Sequence, residues 1–73
     1  MAELELKSEV TGRVWTIASQ IGDRISEGDA LLVLESMKME IPLLAPSNGV
    51  VVRLLVGEGQ EVVEGQTLAI LET

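Results

Sequence analysis

The residues best placed to do chemistry lie in one short stretch, Glu35-Ser36-Met37-Lys38-Met39-Glu40. It sets one lysine between two methionines and flanks them with acids. The only other lysine, Lys7, lies in an ordinary segment of alternating polar and apolar residues. The chain has no His and no Cys. Carboxylates, hydroxyls and amines are therefore the only candidates for catalysis, and they form no recognisable constellation. A lysine amine has an ordinary pKa near ~10.4 and is mostly protonated at neutral pH. Carboxylates close to it only favour that charged form. The stretch does not read as an active site that works alone.

The rest of the chain must position this lysine. Its 73 residues make one domain, residues 1–73, with a small core for its surface. Apolar residues make up 47% of the chain and are almost all aliphatic, since Trp15 is the only aromatic. Aliphatic side chains of this kind suit a thin β-sandwich whose inner faces interdigitate. The absence of Cys excludes disulfides and thiolate metal sites and fits a reducing compartment. A net charge of -7 with five Lys and Arg disfavours nucleic acid and favours partners with basic patches. The opening Met1-Ala2-Glu3-Leu4-Glu5-Leu6-Lys7 does not read as a targeting segment, and no apolar run spans a bilayer. The expected location is the cytoplasm.

Residues 3–7 alternate with period two, as a half-buried strand does. Strand formers follow at 13–17, 24–26, 30–34 and 39–44, separated by turn signals. Pro42 has no N–H to donate, so it belongs at a sheet edge or at a non-bonded position. Ala45-Pro46-Ser47-Asn48-Gly49 is a turn by several signals at once.

After that turn the pattern repeats. Residues 12–35 laid on 49–72 give eight identities in 24 positions, against about two expected from composition. Gly12 meets Gly49, Val14 meets Val51, Gly22 meets Gly59, Glu27-Gly28 meets Glu64-Gly65, Leu31 meets Leu68, and Leu34-Glu35 meets Leu71-Glu72. Each copy is long enough to be one supersecondary unit, and two copies can bury each other's apolar faces with pseudo-twofold symmetry. The expected core includes Val14, Ile17, Leu31, Val33, Val51, Leu54, Leu68 and Ile70, with Trp15 partly exposed. The repeat places Met37-Lys38 on a tight hairpin turn between strands, at the end opposite the chain termini. Shortest hairpin loops have two residues and favour Asn and Gly. A Met-Lys pair there breaks local preference, which hints at function.

This turn and its surroundings resemble the biotin carboxyl carrier family, whose signature is a Met-Lys-Met turn. The resemblance runs from Leu6 to Glu72 and includes Leu34-Glu35-Ser36-Met37-Lys38-Met39-Glu40, Ala45-Pro46, Gly57-Glu58-Gly59 and Glu64-Gly65-Gln66-Thr67-Leu68. It implies an all-β fold, a flattened β-barrel or sandwich of two four-stranded antiparallel sheets with an internal pseudo-twofold repeat (a barrel-sandwich hybrid). Lys38 would carry covalent biotin, with Met37 and Met39 as the flanking motif and Glu35, Ser36 and Glu40 as its context. Implied partners are biotin protein ligase, biotin carboxylase and carboxyltransferase, as in acetyl-CoA carboxylase; no nucleic acid and no membrane enter. The domain itself would be a non-catalytic carrier. Members often have Ala where Ser36 stands, a small change. Residues 13–24 leave no room for the protruding thumb of some acetyl-CoA carboxylase carriers, so the chain resembles the thumbless type. Two other readings remain: a lipoyl carrier, which shares the lysine turn but usually lacks methionine on both sides, and an unmodified interaction module.

Overall fold

Short β-rich runs bounded by turn residues give eight strands; the computed structural model describes residues 2–73. The strands are β1 (Glu3–Lys7), β2 (Gly12–Ile17), β3 (Arg24–Ile25), β4 (Ala30–Ser36), β5 (Met39–Leu44), β6 (Gly49–Leu54), β7 (Glu61–Val62) and β8 (Thr67–Glu72). They form two four-stranded sheets, in the orders β1-β8-β6-β3 and β5-β4-β2-β7, and every neighbouring pair is antiparallel. The expected fold class is the observed one. Pro42 lies on β5, an edge strand, where its missing N–H removes no ladder bond on the open side.

The sequence repeat is carried into the hydrogen bonds. Moving 37 positions along the chain turns β2, β3 and β4 into β6, β7 and β8. The register Val14↔Leu34, Thr16↔Val33, Ile17↔Leu32 becomes Val51↔Leu71, Arg53↔Ile70, Leu54↔Ala69, each with a bulge at the same step. β5 likewise corresponds to β1. Even turn contacts that look unlike in sequence are matched. The Gln20 N–H donates to Asp23 Oδ2 and the Gly57 N–H to Gln60 Oε1, at 2.8 and 3.1 Å. The Glu27 N–H donates to Asn48 Oδ1 and the Glu64 N–H to Thr11 Oγ1, at 2.8 and 3.1 Å. What repeats at these positions is a side-chain acceptor for a turn N–H, not a residue type.

The core divides into two clusters. One holds Leu6, Leu31, Ala45, Val51, Ala69 and Leu71; the other holds Val14, Leu32, Leu34, Val56, Val62 and Leu68. Leu31 of β4 packs among residues of the first sheet, and Leu68 of β8 packs among those of the second. These two leucines tie the halves together.

Four of the eight expected core residues, Val14, Leu31, Val51 and Leu68, are fully buried, while Ile17, Val33, Leu54 and Ile70 are only partly so. The cause is a bulge in each long strand. The pairing of β4 with β5 steps from Ala30 to Leu32, and that of β8 with β1 from Thr67 to Ala69. A bulge leaves one residue unpaired and breaks the strict alternation of faces. Leu31 and Leu68 therefore turn inward at the corner, Leu32, Leu34, Ala69 and Leu71 line the interior, and Val33 and Ile70 fall on the outer faces. Ile17 and Leu54 close their strands and pack at the margin of the core. Trp15 is the unpaired residue of the β2 bulge and is 53% exposed, as expected.

Candidate functional site

β4 and β5 pair down to Ser36↔Met39, so Met37 and Lys38 alone make the loop. Their φ angles are +52° and +65°. Two successive left-handed residues define the mirror-image turn whose twist suits a hairpin, and in this chain neither is Gly, Asn or Asp. They are also the only residues other than glycine with positive φ among those described. Strain of this kind persists where the surroundings enforce it, and it concentrates at functional sites.

The surroundings here are tight. The carbonyl of Glu35 lies against Gly12 so closely that a Cβ on Gly12 would collide with it, and the Ser36 Cβ is 3.1 Å from the same point. Only glycine permits this approach. The Ser36 hydroxyl donates to the Thr11 carbonyl at 2.9 Å, so the substitution that looked small in sequence carries a hydrogen bond. Beside the turn lies an open groove of about 770 Å³ whose lining includes Thr11, Arg13, Glu35, Met37, Glu61 and Val63. Arg13 and Glu61 face each other across β2 and β7 at 3.8 Å, both largely in solvent. Thr11, Arg13, Glu61 and Val63 were not among the expected site residues. The repeat holds their signal, because the symmetric groove at the other end is lined by Asn48, Val50, Arg24 and Ser26.

Lys38 is exposed and makes no salt bridge among the described residues. Glu35 and Glu40 are a cross-strand pair one step behind the turn. Met37 is 92% and Met39 62% exposed, so neither fills the hairpin as a core residue would. The turn sits on one groove, while Glu72 and Thr73 line the other and Thr73 pairs with Ala2. The lysine and the chain termini thus belong to different ends. In chemical terms the arrangement is a primary amine held on a stiff, uncovered tip, with soft apolar side chains on both sides.

Residues 5–71 match the model of the biotin/lipoyl family described as "Biotin-requiring enzyme". The chain belongs to that family. A biotinylated protein TB7.3 homolog of Mycobacterium leprae is 39% identical over 71 residues, covering 97% of this chain and 99% of that protein. Urea amidolyase of Saccharomyces cerevisiae is 38% identical over 66 residues, 90% of this chain but only 4% of the enzyme. The crystal structure of Kluyveromyces lactis urea carboxylase superposes with a TM-score of 0.93 at 32% identity, covering 99% of this chain and 6% of that one. The chain thus spans a small part of the large enzymes it resembles and nearly the whole of a small biotinylated protein. It is a biotinyl domain with the role of a biotin carboxyl carrier, and its cofactor is covalent biotin.

Proposed function

We propose that Lys38 is the residue that carries the biotin, and that a biotin protein ligase puts it there. The observation that supports this most is the turn itself, in which two exposed residues, Met37 and Lys38, are held at positive φ and the amine makes no ion pair among the described residues. The other lysine, Lys7, lies on β1 within a sheet ladder. In the attachment step the Lys38 nitrogen attacks the acyl carbon of biotinyl-AMP. The C–N amide bond forms, AMP leaves, and the amine proton passes to the ligase. Biotin then serves as the group that accepts and releases carboxylate. The domain's own residues hold the attachment point rigid and uncovered. Lys38 loses its charge, and the arm beyond the Cα spans about ten bonds of ~1.5 Å each.

The partners in this reading are a biotin carboxylase and a carboxyltransferase, between which the tethered arm moves at high effective concentration. The host reaction that the sequence suggests is that of an acetyl-CoA carboxylase; the likeness to a urea carboxylase domain sets urea beside acetyl-CoA as a substrate of the host. The compartment is the cytoplasm, in keeping with a chain without cysteine. The domain stays a carrier and catalyses nothing itself. The test is an intact mass after incubation with biotin protein ligase, ATP and biotin, followed by fragmentation to locate the added group. A single biotinyl group on Lys38 is expected. Modification elsewhere, or acceptance of lipoate from a lipoate ligase in place of biotin, would refute this assignment.

A further inference from the structure

The two ends of the molecule are built alike, which makes the differences between them informative. At the end that bears the termini, Thr73 takes the place of Ser36, and its hydroxyl donates to the Ala2 carbonyl at 3.3 Å, along its own ladder. At the end that bears Lys38, the Ser36 hydroxyl turns aside and donates to the Thr11 carbonyl at 2.9 Å. The fold does not need this bond, since its symmetric half stands without it.

The bond joins the strained turn to a fixed point. Thr11 immediately precedes β2, and its own hydroxyl accepts from the Glu64 N–H at 3.1 Å, in the turn between β7 and β8. A chain of two hydrogen bonds thus runs from the residue before Met37, through Thr11, to a turn of the other copy. Gly12 makes room for it by letting β2 close on the Glu35 carbonyl. On the far side of the turn, Met39 begins an edge strand with no second neighbour among the described residues. The hairpin tip is therefore anchored from the Ser36 side alone.

The geometry points to Ser36 as a positioning residue for modification of Lys38: its hydroxyl, bonded to the Thr11 carbonyl, holds the Met37-Lys38 turn in the conformation that the ligase accepts. This rests on the reading of Lys38 as the biotin acceptor. Without the bond, the ligase would have to order the tip itself, at a cost that appears in binding. Such a loss raises KM and leaves kcat nearly unchanged.

The experiment compares wild type, Ser36→Ala and Ser36→Thr. Amide hydrogen exchange at Lys38 and Met39 is measured on the unmodified proteins, and steady-state biotinylation on each with a purified biotin protein ligase. Ser36→Ala should speed tip exchange by about fivefold, the factor that one net hydrogen bond represents. It should raise KM by a similar factor, with kcat near that of wild type and the thermal midpoint lower by several degrees. Ser36→Thr, which keeps the hydroxyl, should restore both. Equal exchange and equal kinetics in wild type and Ser36→Ala overturn the inference. So does faster exchange with unchanged KM, which reduces the bond to a local structural one. If wild type takes no biotin at Lys38, the acceptor reading fails, while the exchange rates still decide whether Ser36 holds the tip.

Discussion

The carbonyl oxygen of Glu35 occupies the space that a Cβ on Gly12 would need. Glu72 stands in the same relation to Gly49, its carbonyl oxygen 2.7 Å from the corresponding point. One contact lies at the root of the Lys38 hairpin and the other beside the termini, so paired substitutions can separate fold from presentation. Gly12→Ala and Gly49→Ala should each cost about 1–3 kcal/mol, because the clash is with backbone that cannot rotate away. Only Gly12→Ala should also slow biotinylation of the folded fraction. Chemical denaturation and a ligase assay on both proteins would show it. Equal biotinylation rates would mean that the hairpin root does not control the tip.

Lys38→Arg keeps a positive charge and removes the primary amine that the amide bond requires. The residue is exposed and makes no salt bridge among the described residues. Stability should stay within about 0.5 kcal/mol of wild type, and streptavidin should capture none of the protein after ligase treatment. Lys7→Arg should be captured as wild type is. Capture of the Lys38→Arg protein would identify another acceptor.

Met37 occupies a left-handed position that costs an ordinary L-residue roughly 1 kcal/mol. Met37→Asn should relieve part of this, since Asn favours the mirror-image hairpin turn, and should raise the thermal midpoint. Biotinylation should fall nonetheless, because the exposed thioether that offers adaptable contact to a partner is gone. A lower midpoint would show that the turn is not strained as described.

Leu68 is fully buried and packs in the cluster of the opposite sheet. Leu68→Ala removes side chain from both the core and the joint between the halves, at an expected cost of roughly 2–5 kcal/mol. A chain this small has little stability to spare. Leu31→Ala, at the symmetric position, should behave alike. A denaturation midpoint unchanged in either would contradict the two-cluster core.

Trp15 has Val52 as its counterpart at the β6 bulge. The fold accepts a small aliphatic there, so Trp15→Val should alter stability by no more than about 0.5 kcal/mol. Thermal melts of the two proteins decide this, and a large loss would show that Trp15 packs more closely than its exposure indicates.

Much of this architecture is legible in the residues because the period of 37 aligns glycines and aliphatics together. From that alignment follow eight strands, two equivalent halves and a lysine turn at the end opposite the termini. The bulges are not legible. They arise where each long strand bends between the halves, and alternation counted through Leu31 or Leu68 assigns Val33 and Ile70 to the wrong face. Nor is the bond from Ser36 visible, because a serine in place of alanine carries no sign of where its hydroxyl points. Asp23 and Gln60, or Thr11 and Asn48, hide their equivalence in another way. They match as acceptors while differing as letters.

The hydrogen bonds between Ala2 and Thr73, at 2.8 and 3.3 Å, stand where Ser36 and Met39 pair on the other half. Two residues would join them. A circular chain in which Met-Lys replaces Met1 and joins Thr73 to Ala2, opened instead at a loop such as 46–48, would present a lysine at each end. Such a bivalent carrier would show whether a ligase reads the turn alone or needs the Ser36 tether that only one end possesses.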